Sequence, residues 1–196
     1  MPDPGAFLDR VAAGMASVKS YHTDTAYNEL RWGRMRPMKV KGDVDITDPA
    51  KPKLSLSVLD NGTTAPVVVI AGKAWVKQGG WKAQPSDQGM TALVASFADW
   101  ATKAKPYAKS LTDAGPAKVG GTAVTHYKVV AESASLAALM SSTASRVKST
   151  TLTYDLWVDK DDVLRKLSVS AKDVTKMTYT STLSNINKPV SIKAPK

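Results

Sequence analysis

Very few side chains of this sequence could carry chemistry. There are two histidines, His22 and His126, two glutamates, Glu29 and Glu132, and no cysteine. The missing thiols remove disulfides, thiolate metal sites and cysteine nucleophiles. Zinc needs about four N, S or O ligands, and two distant histidines among scattered aspartates do not supply them. Glu29 and Glu132 are the sole source of a Glu–Glu glycosidase pair. His22 and Asp24 lie two apart on a predicted strand and so share a face. A hydrolytic triad also needs a serine on a strained turn, and no G-x-S-x-G occurs, so the pair reads as two exposed strand polars. His126, between Thr125 and Tyr127, reads as a hydrogen-bonded surface histidine. Asp159, Asp161 and Asp162 are spaced like part of a calcium loop but lack its central glycine and terminal glutamate. A solvated hairpin turn is the simpler reading. No Walker loop and no G-x-G-x-x-G is present, and Gly79-Gly80 and Gly120-Gly121 read as turns. The expectation is a protein without catalytic residues, bound metal or cofactor.

Charge narrows the partners. The 27 basic residues outnumber the 17 acids, giving a net charge of +10 and a pI near 9.7. Such an excess suits nucleic acid, phospholipid headgroups or acidic wall polymers. The densest basic stretch is Arg31-Trp32-Gly33-Arg34-Met35-Arg36-Pro37-Met38-Lys39. It reads as a strand–strand loop with its apolar members folded under, or as a contact with a membrane surface or partner. Nucleic acid is not expected: no five-residue basic run exists, and the paired aromatics of a single-strand binding sheet are missing.

At 196 residues the chain fits one domain, 1–196, with a substantial core. Its elements read in order. Asp3-Pro4 opens a helix over 4–19, with Phe7, Leu8, Val11, Met15 and Val18 on one face. Strands follow at 20–31, 38–47 and 53–59, then at Val67–Ala71 and Ala74–Lys77 around Gly72-Lys73, with Asn61-Gly62 as a tight turn. Residues 86–104 return to helical spacing, through Met90, Leu93, Val94, Phe97, Trp100 and Ala101, and Pro106 ends them. Residues 108–118 are ambiguous. A strand at 123–131 precedes a short helix with Leu136, Leu139 and Met140, and strands at 150–159, 163–173 and 174–185 close the chain. Hydropathy and length exclude a membrane-spanning helix, and no signal peptide is recognisable. The sum is α+β, a large antiparallel sheet with helices on one face.

Alternation aligns apolar rows on that sheet: Val40, Val44 and Ile46; Leu54, Leu56 and Val58; Val67 and Val69; Leu152, Tyr154, Leu156 and Val158. Such rows are either an ordinary filled core or the wall of a ligand space. Leu93, Phe97 and Trp100, with Leu136, Leu139 and Met140, would cover them. Pro85 and Pro106 bound the 86–109 segment, which would then act as a mobile cover. Lys103, Lys105 and Lys109 would stand at the rim.

Several segments, in this order, carry a resemblance. They are the helix running into Val18-Lys19-Ser20-Tyr21-His22, the strand Lys41-Gly42-Asp43-Val44, and Gly72-Lys73-Ala74-Trp75-Val76-Lys77 before Gly79-Gly80-Trp81. Then come Val119-Gly120-Gly121-Thr122-Ala123-Val124-Thr125-His126-Tyr127, the helix at 136–139, the hairpin Leu156 to Lys166, and the ending Asn187-Lys188-Pro189-Val190-Ser191-Ile192-Lys193-Ala194-Pro195. The chain resembles, over nearly its whole length, the actinobacterial cell-envelope lipoproteins typified by LppX, LprA, LprF and LprG, themselves similar in fold to the LolA/LolB lipoprotein carriers. The resemblance implies a strongly curved antiparallel half-barrel whose helices cover its concave face, with acyl chains of a lipid or glycolipid held between. It implies a monomer at the membrane surface of the cell envelope, possible exchange with an envelope transporter, and no enzyme activity. It also implies export and membrane anchoring, although this chain contains neither a signal peptide nor a lipidated cysteine. The other expectation is an interaction or regulatory module of the same fold that binds a partner protein and no lipid.

Overall fold

The computed structural model describes residues 3–31, 34–85, 97–135, 151–171 and 178–196. Helix α1 spans Pro4–Ala16; the Asp3 carboxylate accepts from the Gly5 N–H at 2.8 Å, and Pro4 supplies a preset φ at the first helical position. The strands are β1 (Ser20–Arg31), β2 (Arg34–Asp45), β3 (Lys53–Asp60), β4 (Thr63–Ile70), β5 (Lys73–Lys77), β6 (Trp81–Pro85), β7 (Ala108–Val119), β8 (Thr122–Glu132), β9 (Thr151–Val158), β10 (Leu164–Ala171) and β11 (Thr178–Ser184). Helix α2 covers Phe97–Ala104, followed by a 3₁₀ turn at Lys105–Tyr107. The expected helix at 136–140 and the first part of the 86–104 segment lie outside the described residues.

All the strands form one antiparallel sheet in the order β6-β5-β4-β3-β2-β1-β11-β10-β9-β8-β7. It is open and curved, and both helices lie on one face, as the α+β half-barrel expectation required. Phe7, Leu8, Val11 and Met15 of α1 are buried against that face, and Phe7 meets Tyr127 with ring centroids 4.5 Å apart.

Turn chemistry sets the register. Asn61-Gly62, Ala71-Gly72 and Gly120-Gly121 have positive φ at both positions, the backbone of two-residue hairpins whose twist matches the strands. The second of these sits one residue earlier than expected, because Lys73 already pairs with Ile70.

Four further readings are corrected or completed. The basic 31–39 stretch is not a loop: β2 begins at Arg34 and pairs with β1 back to Arg31. Pro37 is tolerated there because β3 pairs with β2 only from Met38 onward, so no neighbour on that side needs the missing N–H. Residues 108–118 are strand β7, whose pairing shifts between Asp113 and Gly115. That irregularity hides the alternation from a sequence reading. Trp81–Pro85, expected only as the exit of a turn, is the edge strand β6. Helix α1 ends at Ala16 rather than residue 19, since β1 starts at Ser20 and the backbone must turn.

Candidate lipid-facing wall

The helix-covered face carries the apolar rows in register. Val44, Leu54 and Val69 face one another across β2, β3 and β4, with Ala74 next on β5. The neighbouring row is Gly42, Leu56, Val67 and Val76. Val44, Leu54, Leu56, Val67 and Val69 are buried, and Ile46 and Val58 are partly buried against them. Gly42 interrupts its row for a steric reason. It sits at φ +153°, and a Cβ there would overlap the Ser55 carbonyl oxygen at 2.1 Å. Strands β2 and β3 therefore approach more closely than any side chain at this position would allow.

The far half of the face is lined by Leu152, Tyr154, Leu156 and Val158 of β9 and by Leu164, Leu167 and Val169 of β10, all buried. Helix α2 covers it: Phe97 and Trp100 are buried, and the Trp100 and Tyr154 rings lie 5.3 Å apart. Leu93, Leu136, Leu139 and Met140 lie outside the described residues.

Alternation alone did not flag a band of hydroxyls through the middle of this apolar face. Thr23 and Thr25 of β1 and Ser181 of β11 are buried and linked: Thr25 Oγ1 to Ser181 Oγ at 2.8 Å, and Thr23 Oγ1 to Thr25 Oγ1 at 3.0 Å. The Tyr179 phenol lies near Ser181 and Thr25, and burial pushes it up to about 12. Tyr21, on the same face, is displaced upward by burial and by the nearby Tyr179. A second polar point lies under α2. The Tyr154 hydroxyl is 2.7 Å from Ser135 Oγ and is pushed up to about 12 by burial. Trp100 Nε1 approaches the same hydroxyl but falls short of hydrogen-bond geometry, and is a buried donor without a partner among the described residues. The usable signal was the alternation Tyr21, Thr23, Thr25, Tyr27, which reads as polar unless hydroxyls are allowed on an inner face.

The three rim lysines are exposed, and each has a carboxylate: Lys103 pairs with Asp99 at 2.7 Å, Lys105 with Asp9 at 2.6 Å and Lys109 with Glu132 at 2.6 Å. The Lys105 pair ties the end of α2 to α1. None of the three is an unpaired cation aimed at the apolar face.

Both histidines lie on the outer face. His22 Nδ1 is 2.7 Å from Asp43 Oδ1, and His126 Nε2 is 2.7 Å from Asp155 Oδ1. Ser184 is directly opposite His22 across β1 and β11, beside a shallow depression of about 390 Å³ that Asp24, Lys41, Thr180 and Thr182 also line. Asp24, which shares this face with His22, lies 3.7 Å from Lys41 Nζ, while the carboxylate beside His22 is Asp43, on the next strand. Asp43, His22 and Ser184 thus form a row of triad residue types. The row is poorly built for acyl transfer. No hydrogen bond joins Ser184 to His22 among the described residues, Ser184 stands at a strand end rather than on a strained turn, and the surrounding ladder engages the backbone N–H groups that an oxyanion would need.

Asp159 is likewise committed to structure. Its carboxylate accepts from the N–H groups of Asp161 and Val163 and takes Arg165 in a two-point pair, Nε at 2.7 Å and Nη2 at 2.6 Å. This holds the β9–β10 turn on which α1 rests. Among the described residues no group of three or more His, Asp or Glu could hold a metal ion.

No family model matches the sequence, and no curated protein matches it. Solved structures do. LprF from Mycobacterium bovis aligns over 100% of this chain and 98% of its own, with a TM-score of 0.71 at 15% identity. The chain has the fold of LprF. The Mycobacterium tuberculosis lipoprotein LppX follows with a TM-score of 0.68 at 14% identity, covering 97% of this chain and 98% of its own. MucB reaches 0.54 at 15% identity over 98% of this chain and 63% of its own. The LppX/LprF likeness in architecture, expected from the order of turn and strand motifs, thus holds over the full length.

Proposed function

We propose that the protein is a non-catalytic carrier of lipids or glycolipids in the bacterial cell envelope, exported, with acyl chains held between the sheet and its helices. The observation that carries this reading is the pair of registered apolar rows, Val44-Leu54-Val69 and Leu56-Val67-Val76, on the helix-covered face of an open, curved sheet. Excluding water from an acyl chain there is worth roughly 0.8 kcal/mol per CH₂. An apolar grip of this kind needs no directional chemistry, which suits a site without a built nucleophile or general base. The hydroxyl band of Thr23, Thr25 and Ser181 gives the wall a polar stripe for an ester or hydroxyl of the cargo. Phe97 and Trp100 form the cover, with Leu93, Leu136, Leu139 and Met140 as further wall positions. Lys103, Lys105 and Lys109 mark the rim, where an anionic headgroup would compete with their carboxylates.

The test is mass spectrometry of the organic extract of purified protein, repeated for Leu56→Trp and Val58→Trp. Bound lipid in the parent and its loss in folded variants is the expected result. A chain that carries no lipid, and in which both tryptophans simply overpack the core at a cost of about 1–3 kcal/mol, would overturn the carrier reading. It would leave a filled module that binds a partner protein.

A further inference from the structure

Charge and aromatic residues are unevenly spread on the face of the sheet turned away from the helices. Its central strands show hydroxyls and paired charges, such as Thr180, Thr182 and the His22–Asp43 pair. The edge formed by β4, β5 and β6 is different. Lys73, Trp75 and Lys77 alternate onto the outer side, since Ala74 is in the core and Val76 packs against it. Trp81 lies directly across from Lys77, and Val68 directly across from Trp75. Val68 is buried yet takes no part in the main core, so this patch has a small apolar base of its own. Both tryptophans remain partly exposed, and Trp75 and Trp81 stand on the diagonal of their strand pair, within reach of one another. Lys77 Nζ lies 5.9 Å from the Trp81 ring centroid. From Asn61 to Pro85 the sequence contains no acidic residue, while Lys73 and Lys77 are exposed on this face and Lys82, across from Val76, is exposed on the other.

Two amphipathic indoles flanked by two lysines that have no ion pair among the described residues match one chemistry. Indole rings settle at the boundary of headgroup and acyl chain, where the ring is apolar and the N–H stays wet. Lysines beside them reach phosphate oxygens while their stems cover apolar surface. Trp157 offers a contrast within the same face. His126 stacks on it at 4.5 Å and Lys166 Nζ lies 4.4 Å from its centroid, so its surface is already used by the protein.

We infer that the outer face of the β4–β6 edge is a docking surface for a bilayer rich in anionic phospholipid, with Trp75 and Trp81 entering the headgroup layer and Lys73 and Lys77 contacting phosphates. The inference does not depend on what the opposite face carries.

The test is sedimentation with vesicles of phosphatidylcholine alone and of phosphatidylcholine mixed with phosphatidylglycerol. The protein should bind the mixed vesicles, and raised salt should release it. Lys73→Glu with Lys77→Glu should weaken that binding by at least about tenfold. Trp81→Ser, which leaves the charge intact, should weaken it several-fold. Lys118→Glu with Lys128→Glu makes the same change in net charge at the opposite end of the sheet and should leave most of the binding. Circular dichroism confirms that each variant is folded, and its extracted lipid should match the parent's, which separates this test from that of the carrier reading. Equal losses from both double reversals would reduce the effect to net charge and overturn the proposal. So would absence of binding to the mixed vesicles, or self-association by light scattering that Trp81→Ser abolishes, which would make the occupant a second copy.

Discussion

Tyr179 and Tyr154 are held protonated well beyond the ordinary range of a phenol, both reaching about 12 because burial disfavours the phenolate. The unfolded chain releases these protons near pH 10, whereas the folded chain keeps them. Between those limits the folded state binds more protons, so stability falls as pH rises, by on the order of 1 kcal/mol per pH unit for each ring. Melting temperature should therefore be level up to about pH 10 and drop above it. Tyr179→Phe should flatten the drop, because that ring no longer titrates. An unchanged alkaline slope in the variant would mean that other groups, lysines above all, set it. A second residue-scale consequence concerns Gly14, where a Cβ would come within 2.3 Å of the Asp162 carbonyl oxygen in the β9–β10 turn. Gly14→Ala should lower stability by about 1–3 kcal/mol, as overpacking of a rigid contact does, measured by denaturant unfolding. A neutral result would mean that the turn gives way.

At the scale of elements, legibility followed local chemistry. The turns at Asn61-Gly62 and Gly120-Gly121 were readable because both pairs take positive φ. The apolar wall on β2 to β4 was readable because its side-chain period is two. Strand β7 was not, because its register shift and Gly115-Pro116 break the alternation, and the first residues of β2 were masked by Pro37 and the arginines around it. The hydroxyls of β1 looked like surface residues because their burial depends on β11, some 150 residues away. The lysines at and just past the end of α2 were chosen by charge alone, and a sequence does not show that Asp9, Asp99 and Glu132 already face them. Of these pairs, Lys105–Asp9 joins two helices. Lys105→Ala should cost less than 1 kcal/mol, the usual worth of an exposed ion pair, while quickening hydrogen exchange in α2 if that helix is part of a moving cover. Unchanged exchange would show that the pair does not restrain the helix.

On the scale of the whole molecule, the sheet is two meanders, β1 to β6 and β7 to β11, sewn together along a single seam. Every pairing except β1 with β11 joins strands consecutive in the chain. That seam runs from His22–Ser184 to Asn28–Thr178 and contains the buried Thr25–Ser181 contact. Past it, the chain stays attached: the Asn187 N–H donates to the Ser20 carbonyl, and the Lys19 N–H to Asn187 Oδ1. The arrangement has a meaning in time. A ribosome delivers β1 some 150 residues before β11, so the seam edge of β1 has to wait, with its backbone groups unpaired, while those residues emerge. An edge left open that long invites pairing with the wrong strand, including the same strand of another copy. A chain stopped after Ala171 should therefore aggregate or be held by chaperones, whereas one stopped after Ser184 should remain soluble. Equal solubility of the two would show that β1 is protected by something other than its final partner.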